Sequence, residues 1–219
     1  MSARPPSQFR CPRGRFGWID CPRGRFGWIA GKIMEWGNAA MNALAVEALE
    51  VQPDDQVLEI GFGPGAALAE IARLAPRGFA AGIDPSEAMI SYVSRKLRNG
   101  IAAERVQLKL GTASSIPYED GRFDRVLTVN TIYFWDQPDS ALREIRRVMQ
   151  RGGRFVLVFR ATPDEAGALR VRAMAGRPAL DDVRGWMAAA GFANLRTRTR
   201  ETRLMLSRVT AVALLGEAV

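Results

Sequence analysis

The sequence predicts an α/β fold built on a mainly parallel, doubly wound sheet, and three observations predict it. Residues 57–65, VLEIGFGPG, place a short apolar strand before three glycines, and residues 66–74 follow at once with helical propensity. Strand, glycine loop and helix in that order open a nucleotide-binding βαβ unit. A second apolar run, 79–83, ends on Asp84, at about the distance downstream where such units place an acid for ribose hydroxyls. Three further strand patterns, 106–110, 123–129 and 154–159, alternate with helical ones, and that alternation gives a parallel sheet covered by helices.

With 219 residues, 47% of them hydrophobic, the chain has ample apolar side chains for one domain of the larger kind. The expected division is an N-terminal extension over 1–30 and a single domain over 31–219. Within the extension, CPRGRFGWI at 11–19 recurs unchanged at 21–29, a tandem unit too short for a solenoid array. The first copy is expected to be mobile, and the second to run into the next helix as a lid over the site. Cys11 and Cys21 are the only cysteines, and histidine is absent. Composition therefore excludes histidine triads, histidine metal sites and a histidine general base, and no metal site is read. The formal charge of +8 permits attraction to nucleic acid or anionic lipid, but it speaks to non-specific association rather than chemistry. No apolar run approaches the ~20 residues of a membrane span, and residues 1–10 lack a secretory apolar segment. The expected location is cytoplasmic, with peripheral association at a lipid surface left open.

Residues 32–50 form the first predicted helix, with Ile33, Trp36, Ala40 and Leu44 on one face and Met41 and Ala48 flanking it. Asn38 and Asn42 stand one turn apart, and read either as a solvated stripe or, for Asn38 beside Trp36, as facing the ligand. Gln52-Pro53-Asp54-Asp55 ends the helix. In the glycine loop after it, Gly61, Gly63 and Gly65 allow a tight turn and a close approach of bare backbone. Glu59, just before them, is an acid at a buried strand end, which is costly unless something pairs with it.

Asp84-Pro85-Ser86 closes the second strand and caps a helix over 87–97. Met89 either faces the loop or packs in the core. Gly111-Thr112-Ala113 follows the third strand, and Asn130-Thr131-Ile132-Tyr133-Phe134-Trp135 emerges at the carboxyl end of the fourth, where open α/β sheets hold their ligands. That cluster offers an apolar wall, with Tyr133 as the substrate-facing polar group. Residues 140–149 read as an amphipathic helix stopped by Gly152-Gly153, before the strand at 154–159. Residues 161–177 show no clear element and read as a variable substrate segment. A helix over 181–190 ends at Gly191, and two strands, about 194–199 and 203–214, complete the sheet.

The stretches EIGFGPG at 59–65, GIDPS at 82–86, GTASSIPYEDGRFD at 111–124, VNTIYFW at 129–135 and RGGRFVLV at 151–158 resemble the class I S-adenosylmethionine-dependent methyltransferases. The likeness covers about 44–192 and is to the small-molecule and lipid type, as in the ubiquinone/menaquinone-biosynthesis group. It implies a Rossmann-like sheet of seven strands, the last antiparallel and inserted beside the fifth. It also implies S-adenosyl-L-methionine as cofactor, surrounded by Glu59, Gly61, Phe62, Gly63, Gly65, Asp84, Pro85, Met89, Thr112, Ala113, Asn130 and Thr131. In such enzymes Asp84 would bind both ribose hydroxyls and Met89 would lie against the adenine. Related enzymes often place an acid where Thr112 stands, and a threonine hydroxyl accepts a hydrogen bond without the charge that strengthens it. Substrate contacts are expected from Trp36, Asn38, Tyr133 and Phe134.

The expected activity is methyl transfer to a small-molecule or lipid-like acceptor by in-line displacement, with alignment as the main catalytic contribution. Tyr133, Glu35 and Asp136 are the nearby acid–base candidates, and none is assigned as essential. Charge and the repeats raise RNA methylation as an alternative, although no NPPY-like or DPPY-like tetrapeptide follows the fourth strand. A nicotinamide-dependent oxidoreductase is the other alternative, because Gly61, Gly63 and Ala66 also satisfy G-x-G-x-x-G/A. A binding module that kept the fold without turnover is a third class, favoured only by Thr112.

Overall fold

The computed structural model describes residues 27–172, 174, 176, 178–204 and 207–219. Both cysteines, the first repeat copy and most of the second lie outside these residues, and with them the expected mobile extension and lid. In chain order the elements are α1 (Gly27–Leu49), β1 (Gln56–Ile60), α2 (Ala66–Leu74), β2 (Phe79–Asp84), α3 (Glu87–Lys96), α4 (Arg98–Ala102), β3 (Val106–Leu110) and β4 (Phe123–Val129). After a short 3₁₀ turn over Ile132–Phe134 come α5 (Pro138–Val148), β5 (Met149–Pro163), β6 (Leu169–Val171), α6 (Leu180–Ala189), β7 (Phe192–Leu204) and β8 (Ser207–Ala218).

One sheet carries all the strands, in the order β3-β2-β1-β4-β5-β8-β7, with β6 attached to β5. Pairs from β3 to β5 are parallel, whereas β8 runs antiparallel to both β5 and β7. The seven-strand path with an inserted antiparallel last strand is the architecture the sequence implies. An eighth strand is added: β6 falls in 161–177, where no element was expected. Its three residues pair Ala161, Thr162 and Pro163, on the side of β5 that β4 leaves open after Val129 meets Val158.

Alternation along the strands divides the core in two. Leu58 and Ile60 of β1 join Phe155 and Leu157 of β5 on the face covered by α5 and α6, through Leu142, Ile145, Val183 and Met187. Val57 joins Leu127, Val156 and Val158 on the face covered by α1, α2 and α3, through Met41, Leu44, Leu68, Ile71 and Val93. With both faces buried, central strands read as apolar runs rather than strict alternations.

Two expectations about local structure are corrected. The buried face of α1 is Met41, Leu44, Ala45, Ala48 and Leu49, which includes the expected Leu44 with its flanking Met41 and Ala48, whereas Ala40, expected on that face, is exposed. Gly152 and Gly153 do not stop a helix. α5 ends at Val148, and the glycines sit inside β5, where the pairing with β4 jumps from Phe123–Met149 to Arg125–Arg154. Gly152 takes φ +80°, and a Cβ on Gly153 would stand 2.9 Å from the Asp124 carbonyl oxygen. A bulge of this tightness needs glycine.

Candidate functional site

The carboxyl ends of β1, β2 and β4 meet at the glycine loop. Gly61, Gly63 and Gly65 all have positive φ, at 69°, 50° and 71°, a backbone that side chains disfavour. Gly65 starts α2 with no side-chain cap. Glu59 supplies that function from beneath: its carboxyl group accepts a hydrogen bond from the amide of Leu68, the third residue of α2. Its Oε2 is buried with no hydrogen-bond partner among the described residues. Burial first, and the neighbouring Asp84 charge second, push the Glu59 carboxyl up to about 8, against the pull of the Leu68 amide and Lys96. Glu59 therefore holds its proton at neutral pH.

Asp84 latches the loop to β2. Its Oδ2 accepts from the Gly63 amide at 2.9 Å and its Oδ1 from the Ser86 amide at 2.9 Å. Burial raises the Asp84 carboxyl, and these two amides oppose the rise. Each oxygen keeps acceptor capacity for a further donor. Ser86 caps α3 as expected, its hydroxyl accepting from the Met89 amide. Pro85 is exposed beside the loop.

Phe62 and Met89 are core side chains, only 3% and 2% exposed. The reason for Phe62 lies in Gly82, to which the sequence pattern assigns no role. A Cβ on Gly82 would sit 2.7 Å from Phe62 Cδ1 and 2.7 Å from Leu68 Cδ2. Phe62 folds down onto bare β2, so only its backbone belongs to the loop. Ala113 is likewise buried, while Thr112 is half-buried in a tight turn closed by reciprocal backbone bonds with Ser115.

Across the cleft, Asn130 follows β4 directly, held at φ +58°, a conformation asparagine tolerates better than most residues. Thr131 packs so close to the glycine loop that a Cβ on Gly61 would stand 2.5 Å from its Cγ2. Its hydroxyl shares a 2.5 Å hydrogen bond with Thr128, which in turn donates to the Ile60 carbonyl at 2.9 Å. The loops after β1 and β4 are thus one packed unit.

A polar network spreads from Asn130. Its Nδ2 donates to Asn38 Oδ1 at 2.9 Å, and the Tyr133 hydroxyl donates to its Oδ1 at 3.2 Å. Arg160 closes the ring, its amide donating to the Tyr133 hydroxyl at 2.5 Å and its Nη2 to Asn38 Oδ1 at 2.6 Å. Burial pushes the Tyr133 phenol up to about 12, so it is a neutral hydrogen-bonding group rather than a base. Phe134 is 45% exposed beside it, on the wall rather than in the core. Asp136 is exposed, and the side chains of Glu35 and Trp36 lie outside what the structure describes. Arg160 is a site residue that the sequence motifs do not name, although an arginine directly after the apolar run 155–159 marks a strand end at the ligand-binding edge.

Residues 58–157 match the model of a family described as a methyltransferase domain. An uncharacterized methyltransferase of Bacillus subtilis, YdaC, is 26% identical over 179 residues, which is 82% of this chain and 94% of that protein. A demethylmenaquinone methyltransferase of Symbiobacterium thermophilum is 31% identical over 113 residues, 51% of this chain and 45% of its own length. The chain thus spans nearly all of one relative and under half of the other. Among solved structures, a geranyl diphosphate methyltransferase in complex with S-adenosylmethionine superposes with a TM-score of 0.68 at 14% identity, over 92% of this chain and 94% of that one. That likeness is one of fold.

Proposed function

We propose that the chain, which matches a methyltransferase domain over residues 58–157 and is similar to YdaC along most of its length, is a class I S-adenosylmethionine-dependent methyltransferase that moves the methyl group to a small-molecule or lipid-like acceptor by positioning, without an essential base. The methyltransferase-domain match supports S-adenosylmethionine as the cofactor over a nicotinamide.

The residues around the glycine loop fit that group. Gly61, Gly63 and Gly65 leave main chain bare where it must come close. The lone pairs of Asp84 suit ribose hydroxyls, and protonated Glu59, at the end of β1, leaves its buried Oε2 without a hydrogen-bond partner among the described residues. Pro85 and the Thr112 turn border the adenine side in this reading, and Asn130 and Thr131 the sulfonium side. The cofactor, when bound, supplies a methyl already activated by positive sulfur. The chain's own task is to hold a nucleophile in line with it and keep water away, and such placement is worth roughly 7–11 kcal/mol.

The observation that carries the positioning reading is the Asn38–Asn130–Tyr133–Arg160 network. Its phenol is neutral, with its proton donated to Asn130 and one lone pair occupied by the Arg160 amide. Tyr133 therefore orients rather than abstracts. The names of the relatives support the acceptor class: one is named for demethylmenaquinone and one structural neighbour for geranyl diphosphate. Both are small or lipid-like molecules.

Incubation of the full chain with methyl-labelled cofactor and a cell extract tests the proposal. Label is expected in the low-mass or organic-extractable fraction. Label confined to RNA would overturn it.

A further inference from the structure

β6 brings an arginine to the site that no sequence pattern announced. Where it pairs with the end of β5, the Arg172 amide donates to the Arg160 carbonyl at 2.8 Å. The Arg160 amide in turn donates to the Tyr133 hydroxyl. Both guanidinium groups act on that hydroxyl, and the Arg172 charge also acts on Arg160. Two half-buried cations therefore share one corner with a neutral phenol and two asparagines.

Arg172 Nη1 is buried and has no hydrogen-bond partner among the described residues. A buried guanidinium donor left unmade is expensive, and a like charge beside it adds to the cost. Neighbouring arginines are settled by acids. Arg170, two residues earlier, pairs with Asp164 at 2.7 Å, and farther off, on β7, Arg198 and Arg200 pair with Glu50 and Glu47 at 2.9 and 2.8 Å. No such pair involves Arg172 among the described residues. The rigid fork of a guanidinium matches the paired oxygens of a carboxylate or phosphate.

We infer that the acceptor carries an anionic group, a carboxylate or a phosphate, held by Arg172 at the corner it shares with Arg160 and Tyr133. This rests on the methyl-transfer reading above and names the substrate class of the same cleft. The anion supplies the partner that Arg172 Nη1 lacks, and the remainder of the acceptor lies along Phe134 toward the glycine loop.

The test begins with the full chain and S-adenosylhomocysteine in a calorimeter. Failure of that first titration would count against the cofactor site and is distinct from any failure of the acceptor titrations. The saturated protein is then titrated with benzoate, phenyl phosphate and neutral benzyl alcohol. At least one anion should bind tenfold or more tightly than the alcohol, and the stronger of the two separates carboxylate from phosphate. Arg172→Gln should weaken that anion at least fivefold, with Arg172→Lys falling between, and thermal unfolding midpoints confirm that the variants fold. Should Arg172→Gln not fold, Arg172→Lys and the loss of wild-type anion affinity with rising salt decide the matter. Equal binding of the alcohol, no binding of either anion, or a loss under fivefold in Arg172→Gln overturns the inference.

Discussion

Glu59 is a carboxyl group shut away from water at the end of a central strand, and that isolation has a measurable consequence. In the unfolded chain it would release its proton near pH 4.5, whereas in the fold it keeps it to about 8. The folded chain binds more protons between those values. This contribution to stability is thus complete below the unfolded value and is lost as pH rises through the folded one. Buried Asp84, also raised, acts in the same direction. Urea midpoints from pH 5 to 8.5 should fall more steeply for the wild type than for Glu59→Gln, and equal slopes would refute the assignment. At Asp84, replacement by alanine removes the partner of the Gly63 amide and the acceptor proposed for the ribose. S-adenosylhomocysteine affinity should drop by about 1.5–3 kcal/mol, roughly 10- to 100-fold, by calorimetry. Both acids were legible because each stands at a strand end beside a glycine or proline turn. Phe62 was not, since the side chain's direction depends on the bareness of Gly82 one strand away. Arg172 was hidden for a similar reason, as only the β5–β6 pairing brings it to the cleft.

At the scale of elements, the tight joint between the loops after β1 and β4 is the part most exposed to mutation. Gly61→Ala would drive a methyl into Thr131 at a positive φ. It should destabilise the protein by more than about 1 kcal/mol in urea unfolding. Phe155, fully buried on β5, stacks on Phe192 at the start of β7 with ring centroids 5.1 Å apart. Phe155→Ala should cost about 3–5 kcal/mol by the same measurement. The central strands β1, β2, β4 and β5 could be read from the sequence because burial on both faces writes apolar runs, and the edge strand β3 because Val106, Leu108 and Leu110 alternate with Gln107 and Lys109. β6 could not: the alternation Leu169-Arg170-Val171 is only three residues long, and it is a strand because β5 outruns β4 and offers an open edge. The glycine pair at 152–153 misled for a related reason, because a bulge inside a strand and a helix stop call for the same residue. In α1 the pattern found Leu44 with Met41 and Ala48 beside it, but it put Ala40 on the buried face in place of Ala45 and Leu49.

Over the whole molecule, the sheet order follows from the succession of motifs, and the antiparallel insertion of β8 followed from family resemblance rather than from any local signal. Some of the arginines are paired with acids. Arg154, Arg198 and Arg200 along the β5–β8–β7 side meet Glu50 and Glu47 of the α1 end, so that face is an ion-pair lattice rather than a bare basic platform. Among the described residues no helix is long and apolar enough to cross a membrane. What the architecture does is gather the loops after β1, β2, β3 and β4, with the end of β5, along one sheet edge. The most direct test of that arrangement is a crystal structure of the full chain with S-adenosylhomocysteine. The adenosyl group should lie over Gly61–Gly65 with its ribose hydroxyls on Asp84 and its sulfur facing Asn130 and Thr131. A ligand bound elsewhere, or a ribose that leaves Asp84 untouched, would contradict it.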